Sequence, residues 1–255
     1  MKKIKTLFRI ELTALMLVAI ACSKRDVPDN QGKYGVDGIT PLPEAVDLGL
    51  SVKWASFNLG ASKEHECGDY YAWGETEAYD NSLGLRSWTN YFWCSGSAKR
   101  LTKYCTKATY WSVEGKEPDD ITTLLPSDDV AHIKLGGKWR MPTAEEINEL
   151  LALREDSNYN WQQWATIVDE KGYVIHGLRI TYKPTGATLY LPAAGDRQED
   201  YNTGLYGGHY WSSSLNADYP DLAWYINFNS VDALKNSYDR CFRFSVRPVL
   251  DTDKR

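Results

Sequence analysis

The sequence lacks a surplus of basic residues. Its 255 residues include 29 lysines and arginines against 34 aspartates and glutamates, a formal net charge of −5. Proteins that bind nucleic acid neutralise phosphates with a basic surface, and the domains that do so are usually basic. The composition therefore argues against a nucleic-acid partner.

Sequence strings typical of catalytic and metal sites are also missing. The chain has no His-x-x-Glu-His zinc string, no phosphate-binding loop and no Gly-x-Ser-x-Gly nucleophile elbow around the serines at 212–214. No two of its five cysteines have the Cys-x-x-Cys spacing of a zinc site, and its four histidines are scattered. We therefore expect a protein that is not an enzyme and that has no catalytic or metal-binding residues.

The longest apolar run lies near the N-terminus. It follows several basic residues and covers 12–21, which is shorter than the roughly 20 apolar residues of a membrane span and is typical of a signal peptide. Ala19-Ile20-Ala21-Cys22 resembles the bacterial lipobox. We expect a signal peptide at 1–21 and a lipid on Cys22 that anchors the chain to the outer membrane, on its periplasmic or its cell-surface face. The alternative is an ordinary signal peptide cut nearby.

The remaining sequence is typical of one folded domain. Hydrophobic residues make up 43% and charged residues 25%, and the aromatic content of 10 Trp, 17 Tyr and 6 Phe is high. The polar, Pro- and Gly-containing stretch 22–43 predicts a flexible tether, 44–250 a single domain and 251–255 a charged tail.

Short strands dominate the expected secondary structure. Alternating or aromatic runs predict strands at 51–55, 70–73, 223–228 and 242–246, and a hairpin of 178–182 with 187–191 around a Pro- and Gly-containing turn. Thr143 and Glu146 form a capping box at the start of a helix that runs to about Arg154. A shorter helix is expected from Ser127. In the first turn of the helix that begins after Thr143, Glu145 and Glu146 are expected for capping and for interaction with the helix dipole, rather than as catalytic carboxylates.

Four cysteines remain once Cys22 carries a lipid. Outside the cytoplasm four thiols allow two disulfides with three connectivities. Cys94 and Cys105 flank a short Ser-, Gly- and Lys-containing turn and are candidates for one bridge, which leaves Cys67 and Cys241 for the other. Four free thiols are the alternative.

Six ordered strings carry a resemblance to a known family. They are VDLGLSVKWA at 46–55, GDYYAWGE at 68–75, GGKWRMPT at 136–143, LPAAG at 191–195, YWSSS at 210–214 and SVRPV at 245–249. Together they resemble the Fibrobacter succinogenes major paralogous domain of bacterial lipoproteins. The resemblance implies an α+β, C-type-lectin-like fold related to that of formylglycine-generating enzymes. Those oxidases use a close pair of cysteines near the C-terminal end, where this chain has only Cys241.

The expected function is the capture of a ligand, with a glycan as the leading candidate. Sugar rings stack on exposed aromatic side chains. Two loops carry aromatic residues but lack the regular spacing of apolar residues that would indicate a face packed on the core. The candidates are Trp88, Tyr91 and Trp93 in the first loop and Tyr201, Tyr206 and His209 in the second. The alternatives are a structural or tip component of a surface assembly, with a protein partner, and an enzyme similar to formylglycine-generating oxidases.

Calcium is a candidate cofactor only by analogy with lectins. Asp196, Glu199 and Asp200 form an acidic loop, but the chain has no Asp-x-Asp-x-Asp-Gly pattern. We therefore expect a solvated acidic loop.

Overall fold

A computed structural model describes residues 32–78, 87–195, 197–198, 201–202 and 206–252, without side chains at 197–198 and 201–202. The chain divides into two compact units, 1–31 and 32–255, and all described residues belong to the second unit. The expectations for the signal peptide, Cys22, the acidic loop and the Tyr201 side chain lie outside this description. No helix in the described part is long and apolar enough to cross a membrane.

Strands make up most of the regular structure, with 36% strand and 10% helix, which confirms a mainly β protein with few helices. The helices are α1 (Val130–Leu135) and α2 (Ala144–Ala152), and single 3₁₀ turns cover Ala108–Tyr110 and Leu153–Glu155. The strands are β1 (Ala45–Val46), β2 (Val52–Ala55), β3 (Tyr70–Ala72), β4 (Trp139–Arg140), β5 (Tyr159–Val168), β6 (Val174–Tyr182), β7 (Ala187–Pro192), β8 (Arg197–Gln198), β9 (Tyr201–Asn202), β10 (Gly207–Leu215), β11 (Leu222–Asn229), β12 (Ala233–Asp239), β13 (Arg243–Ser245) and β14 (Val249–Asp251).

These strands form small sheets rather than one large one. Their orders are β1-β2-β14-β4, β12-β11-β10-β13-β3, β5-β6-β7 and β8-β9. Pairing is antiparallel except between β10 and β13, where Tyr210 lies opposite Ser245. The last strand, β14, pairs with β2 near the start of the domain, with Val249 opposite Trp54.

Side-chain capping residues mark the start of both helices. The Thr143 hydroxyl accepts a hydrogen bond from the Glu146 amide (3.2 Å), and the Glu146 carboxylate accepts one from the Thr143 amide (2.8 Å), which confirms the capping box. The helix at 127 begins slightly later than expected, because Asp129 accepts the backbone amides of Ala131 and His132 as its N-cap.

Two large aromatic-rich clusters and a smaller one around Tyr91 form the hydrophobic core of the described residues. In the first core Trp211 stacks on Phe244 with ring centroids 4.3 Å apart, and Trp73 packs beside them. The second core lies under α2, where Ile147 packs with Trp54 and Phe228. Most tryptophans of the family-like strings therefore bury their rings.

The segment expected to be a tether up to residue 43 is part of the domain from residue 32 onward. The Asp37 carboxylate accepts the amides of Ile39 and Thr40, and Gly35 donates to the Thr40 carbonyl at 2.8 Å. The backbone amide of Asp37 donates to the carbonyl of Lys134 in α1 at 3.4 Å. Residues 32–43 of the predicted tether are therefore ordered by side-chain-to-backbone hydrogen bonds, which composition does not reveal.

Candidate ligand-binding groove

An open groove of about 1210 Å³ lies where several chain segments that are distant in sequence meet. Its walls come from the loop 63–67, from the hairpin that β5 and β6 form, from Tyr206 and from Ser230 in the β11–β12 turn. Large concave sites that combine apolar and polar side chains are the usual place for ligands. We call this cavity the groove.

Trp164 and His176 form an aromatic wall of the groove. Their rings are stacked, with centroids 5.1 Å apart and planes inclined by 13°. The register of β5 against β6 shifts between Gln162 and Ala165, and bulges of this kind redirect side chains. Thr166 lies opposite His176, and its hydroxyl is 3.3 Å from the imidazole Nδ1. The bulge in β5 thus places the Trp164 indole beside the His176 imidazole of the neighbouring strand β6.

Tyr206 supplies a second aromatic ring at the groove. It directly precedes β10, and 86% of its surface is exposed. The two glycines after it are required by the packing of β10 on β11, because a Cβ at Gly208 would lie 2.1 Å from the Phe228 ring. The chain therefore enters the core immediately after a side chain that lies in solvent.

The polar rim of the groove is organised by hydrogen bonds within the loops. Burial raises the pKa of the Glu66 carboxyl. Hydrogen bonds from Ser62 and Lys63 lower this pKa by more than burial raises it, so the net pKa is below its usual value. Lys63 forms an ion pair with Glu170. Asp169 accepts the amides of Lys171 and Tyr173 and so closes the β5–β6 turn.

The floor of the groove rests on a buried polar network. Cys67 lines the groove, and its carbonyl accepts hydrogen bonds from the Asn58 amide (2.9 Å) and the Ser245 hydroxyl (3.1 Å). The Asn58 oxygen in turn accepts from the fully buried guanidinium of Arg247 at 2.8 Å. These bonds connect the floor to β13 and to the C-terminal part of the domain, and fix the loop that carries it.

In the first of the two expected ligand loops Tyr91 is buried, whereas Trp88 and Trp93 are partly exposed. Tyr91 is only 2% exposed, and its hydroxyl donates to the Trp73 carbonyl (2.6 Å) and accepts from Arg240 (3.0 Å). Trp88 packs edge-on against Tyr91, and the Trp93 indole donates to the Gly74 carbonyl at 2.7 Å. The burial of Tyr91 could not be predicted from sequence because the loop has no periodic apolar residues.

The second expected loop divides between the groove and the core. Tyr206 lines the groove, whereas the His209 ring packs against Phe244 (5.0 Å) and Tyr225 (5.6 Å) of the first core. Trp164, His176 and the polar residues of the rim were not anticipated from sequence. Trp164 is an aromatic residue in a polar stretch, and this was the one available signal.

The two expected disulfides are not formed in the structure. Among the described residues, none of Cys67, Cys94, Cys105 and Cys241 is joined to another cysteine by a disulfide. The Cys94 thiol donates to the Trp88 carbonyl at 2.9 Å, and the Cys105 thiol donates to the Lys107 carbonyl at 3.2 Å. Burial raises the pKa of Cys105 and raises that of Cys241 to about 12. Proximity in sequence did not predict the pairing of Cys94 and Cys105, because each thiol forms a hydrogen bond to a nearby backbone carbonyl.

The residues that resemble catalytic groups have structural partners. The Ser212 hydroxyl donates to the Trp224 carbonyl at 2.8 Å, and the Ser214 hydroxyl accepts the amide of Ala144 at 3.0 Å. Arg140 binds both oxygens of Glu146 at 2.6 and 2.8 Å. Within the described ranges no group of three or more His, Cys, Asp or Glu side chains is arranged to hold a metal ion.

Comparison of the chain with protein-family models, with curated proteins and with solved structures found no match.

Proposed function

We propose that this chain is a non-catalytic binding module that captures a glycan in the groove. The observation that carries the proposal is the pairing of aromatic rings with hydrogen-bonding side chains in one open cavity. Trp164 and Tyr206 offer apolar faces to the C–H surface of sugar rings, while Glu66 and Asp169 offer carboxylate oxygens to hydroxyl groups.

The proposal includes the fold and the anchor that the sequence suggests. The mainly antiparallel architecture with two short helices is compatible with a C-type-lectin-like fold, in which long loops carry the binding site. A lipid on Cys22 would hold the domain at the outer membrane. Cys22→Ala is expected to leave the precursor unprocessed and to move it out of the detergent phase in a phase-separation assay. Unchanged partitioning of this variant would refute the anchor.

Glycan binding is tested by screening detergent-extracted full-length protein against a broad panel of immobilised glycans. We expect a subset of the panel to bind, and Tyr206→Ala to remove that binding. Tyr219→Ala is the matched control, because Tyr219 is also an exposed tyrosine (57%) and does not line the groove. Equal loss in both variants, or no binding by the unmodified protein, would contradict the proposal.

A further inference from the structure

The charges around the groove do not favour an acidic ligand. Among the described lining residues, the carboxylates of Glu66, Asp169 and Glu170 outnumber the two lysines, and two histidines also line the groove; these basic residues are Lys63, Lys171, His65 and His176. Lys63 is already paired with Glu170. Anionic ligands are usually held by a surplus of cations, often in bidentate contact with arginine, and none of the described residues that line the groove is an arginine. Carboxylate oxygens instead accept hydrogen bonds from neutral hydroxyl groups.

The size of the groove exceeds what one sugar ring needs. Pockets for drug-sized molecules span roughly 300–1,000 Å³, and the groove has about 1210 Å³. A single sugar ring is smaller than a drug-sized molecule and would leave most of this space to water. The groove is also partly open to solvent, so a longer chain can extend out of it.

Aromatic rings come to the groove from two separate segments. Trp164 stacks on His176 within the β5–β6 hairpin, whereas Tyr206 precedes β10 and is exposed on its own. Both rings line the groove, Trp164 is partly buried against the second core, and the face of an aromatic ring is about the size of one sugar ring. Two such faces in one cavity suit a ligand with more than one ring.

We propose that the groove binds several consecutive rings of a neutral oligosaccharide chain, rather than a single sugar or an acidic glycan. This inference rests on the proposed glycan-binding function and specifies its ligand class. It follows from the groove's volume, its two aromatic positions and its excess of carboxylates over lysines.

The test is isothermal titration of detergent-extracted full-length protein with oligosaccharides of one to six rings. The neutral probes are the malto-, cello-, xylo- and manno-oligosaccharide series, and the acidic probes are oligogalacturonides and heparin fragments of matched length. For the series that binds, we expect Kd to fall at least about tenfold between one and four rings. Acidic chains of the same length are expected to bind more weakly.

Variants assign the effect to the groove. Tyr206→Ala, at a fully solvated position, is expected to weaken four-ring binding about tenfold and to reduce the ratio of four-ring to one-ring affinity. Trp164→Ala is expected to act in the same direction. Tyr219→Ala is the control and should leave both affinities unchanged.

The outcomes separate this inference from the proposed function. One ring binding as tightly as four, or acidic chains binding more tightly than neutral ones, would overturn the inference and leave glycan binding intact. Binding that survives both groove variants would overturn the assignment to the groove. A protein that binds no probe here and no glycan of the broad panel would overturn the proposed function, and the inference with it.

Discussion

Trp93 and Tyr206 carry aromatic rings of similar chemistry in different surroundings. The Trp93 ring packs edge-on against Phe92 and Tyr104 with centroids 4.5 and 6.1 Å away, and Lys103 lies 4.5 Å from its ring. Its indole also donates to the Gly74 carbonyl. Tyr206 is almost fully exposed. Stability should therefore depend on the first side chain and ligand binding on the second.

We expect Trp93→Ala to lower the free energy of unfolding by about 2–3 kcal/mol, because it removes a large packed ring and leaves a carbonyl without its donor. Tyr206→Ala should change it by less than about 0.5 kcal/mol, as is usual for an exposed side chain. Urea unfolding monitored by tryptophan fluorescence measures the Tyr206 variant, and circular dichroism measures both. An equal loss of unfolding free energy in the two variants would contradict the packed position of Trp93 and the exposed position of Tyr206.

The four thiols differ in burial, which determines how fast they react. Cys67 and Cys94 are partly exposed, whereas Cys105 and Cys241 are buried and their pKa values are raised. Because the thiolate is the reactive form, burial and a raised pKa both slow alkylation.

We expect iodoacetamide to modify Cys67 and Cys94 in the folded protein and to modify Cys105 and Cys241 only after denaturation. Peptide mapping by mass spectrometry without reduction identifies each site. A peptide that joins two of these cysteines would show that a disulfide forms, and would contradict the structure, in which these four cysteines form no disulfide with one another.

At the scale of elements, α2 is held at its start by two reciprocal hydrogen bonds. Thr143→Ala removes the side-chain half of this capping box and is expected to lower the free energy of unfolding by about 1 kcal/mol. Thr122→Ala is a suitable control, because Thr122 is exposed and lies in a loop. Thermal unfolding compares the two variants, and an equal shift in both would argue that the cap contributes nothing.

The elements that sequence predicts well are those with complete local signals. α2 has its capping residues and apolar spacing within one segment, and the hairpin of β6 and β7 has alternation on both sides of a Pro- and Gly-containing turn at 183–186. The strand β5 was not predicted. Its alternation breaks at the bulge between Gln162 and Ala165, where Trp164 is redirected toward the groove.

The candidate site was only partly accessible to sequence reasoning for the same physical reason. Tyr206 could be identified as an aromatic residue beside glycines without a core-facing period. Trp164 and the loop 63–67 reach the groove only through the packing of segments about 100 residues apart. No local pattern encodes that meeting, so the groove had to be read from the three-dimensional structure.

For the whole molecule, buried arginines connect segments that are far apart in the chain. Arg247 is fully buried and donates to the Ala55 carbonyl (3.0 Å), the Asn58 side chain (2.8 Å) and the Tyr190 carbonyl (2.8 Å). Burial lowers its pKa to about 10. Arg240 likewise donates to the carbonyls of Lys103, Tyr104 and Pro220. These guanidinium groups satisfy backbone carbonyls of strands and loops that are far apart in the chain.

Arg247→Lys tests how much this connection contributes to the stability of the domain. A lysine keeps the charge, but its single ammonium group cannot reproduce the planar fork that serves three acceptors in three directions. At least one buried acceptor is then left without a donor, and we expect the free energy of unfolding to fall by about 3 kcal/mol. Arg154→Lys is the matched control, since Arg154 forms an exposed ion pair with Asp232 at 2.7 Å and should lose less than about 0.5 kcal/mol. Because the Asn58 partner of Arg247 also holds the carbonyl of Cys67 in the groove floor, Arg247→Lys should also weaken glycan binding under conditions where the variant remains folded.

Urea titrations of the Arg247 and Arg154 variants measure the loss of stability, and binding measurements at 10 °C measure the loss of glycan affinity. Unchanged stability of Arg247→Lys would show that this hydrogen-bond network is dispensable.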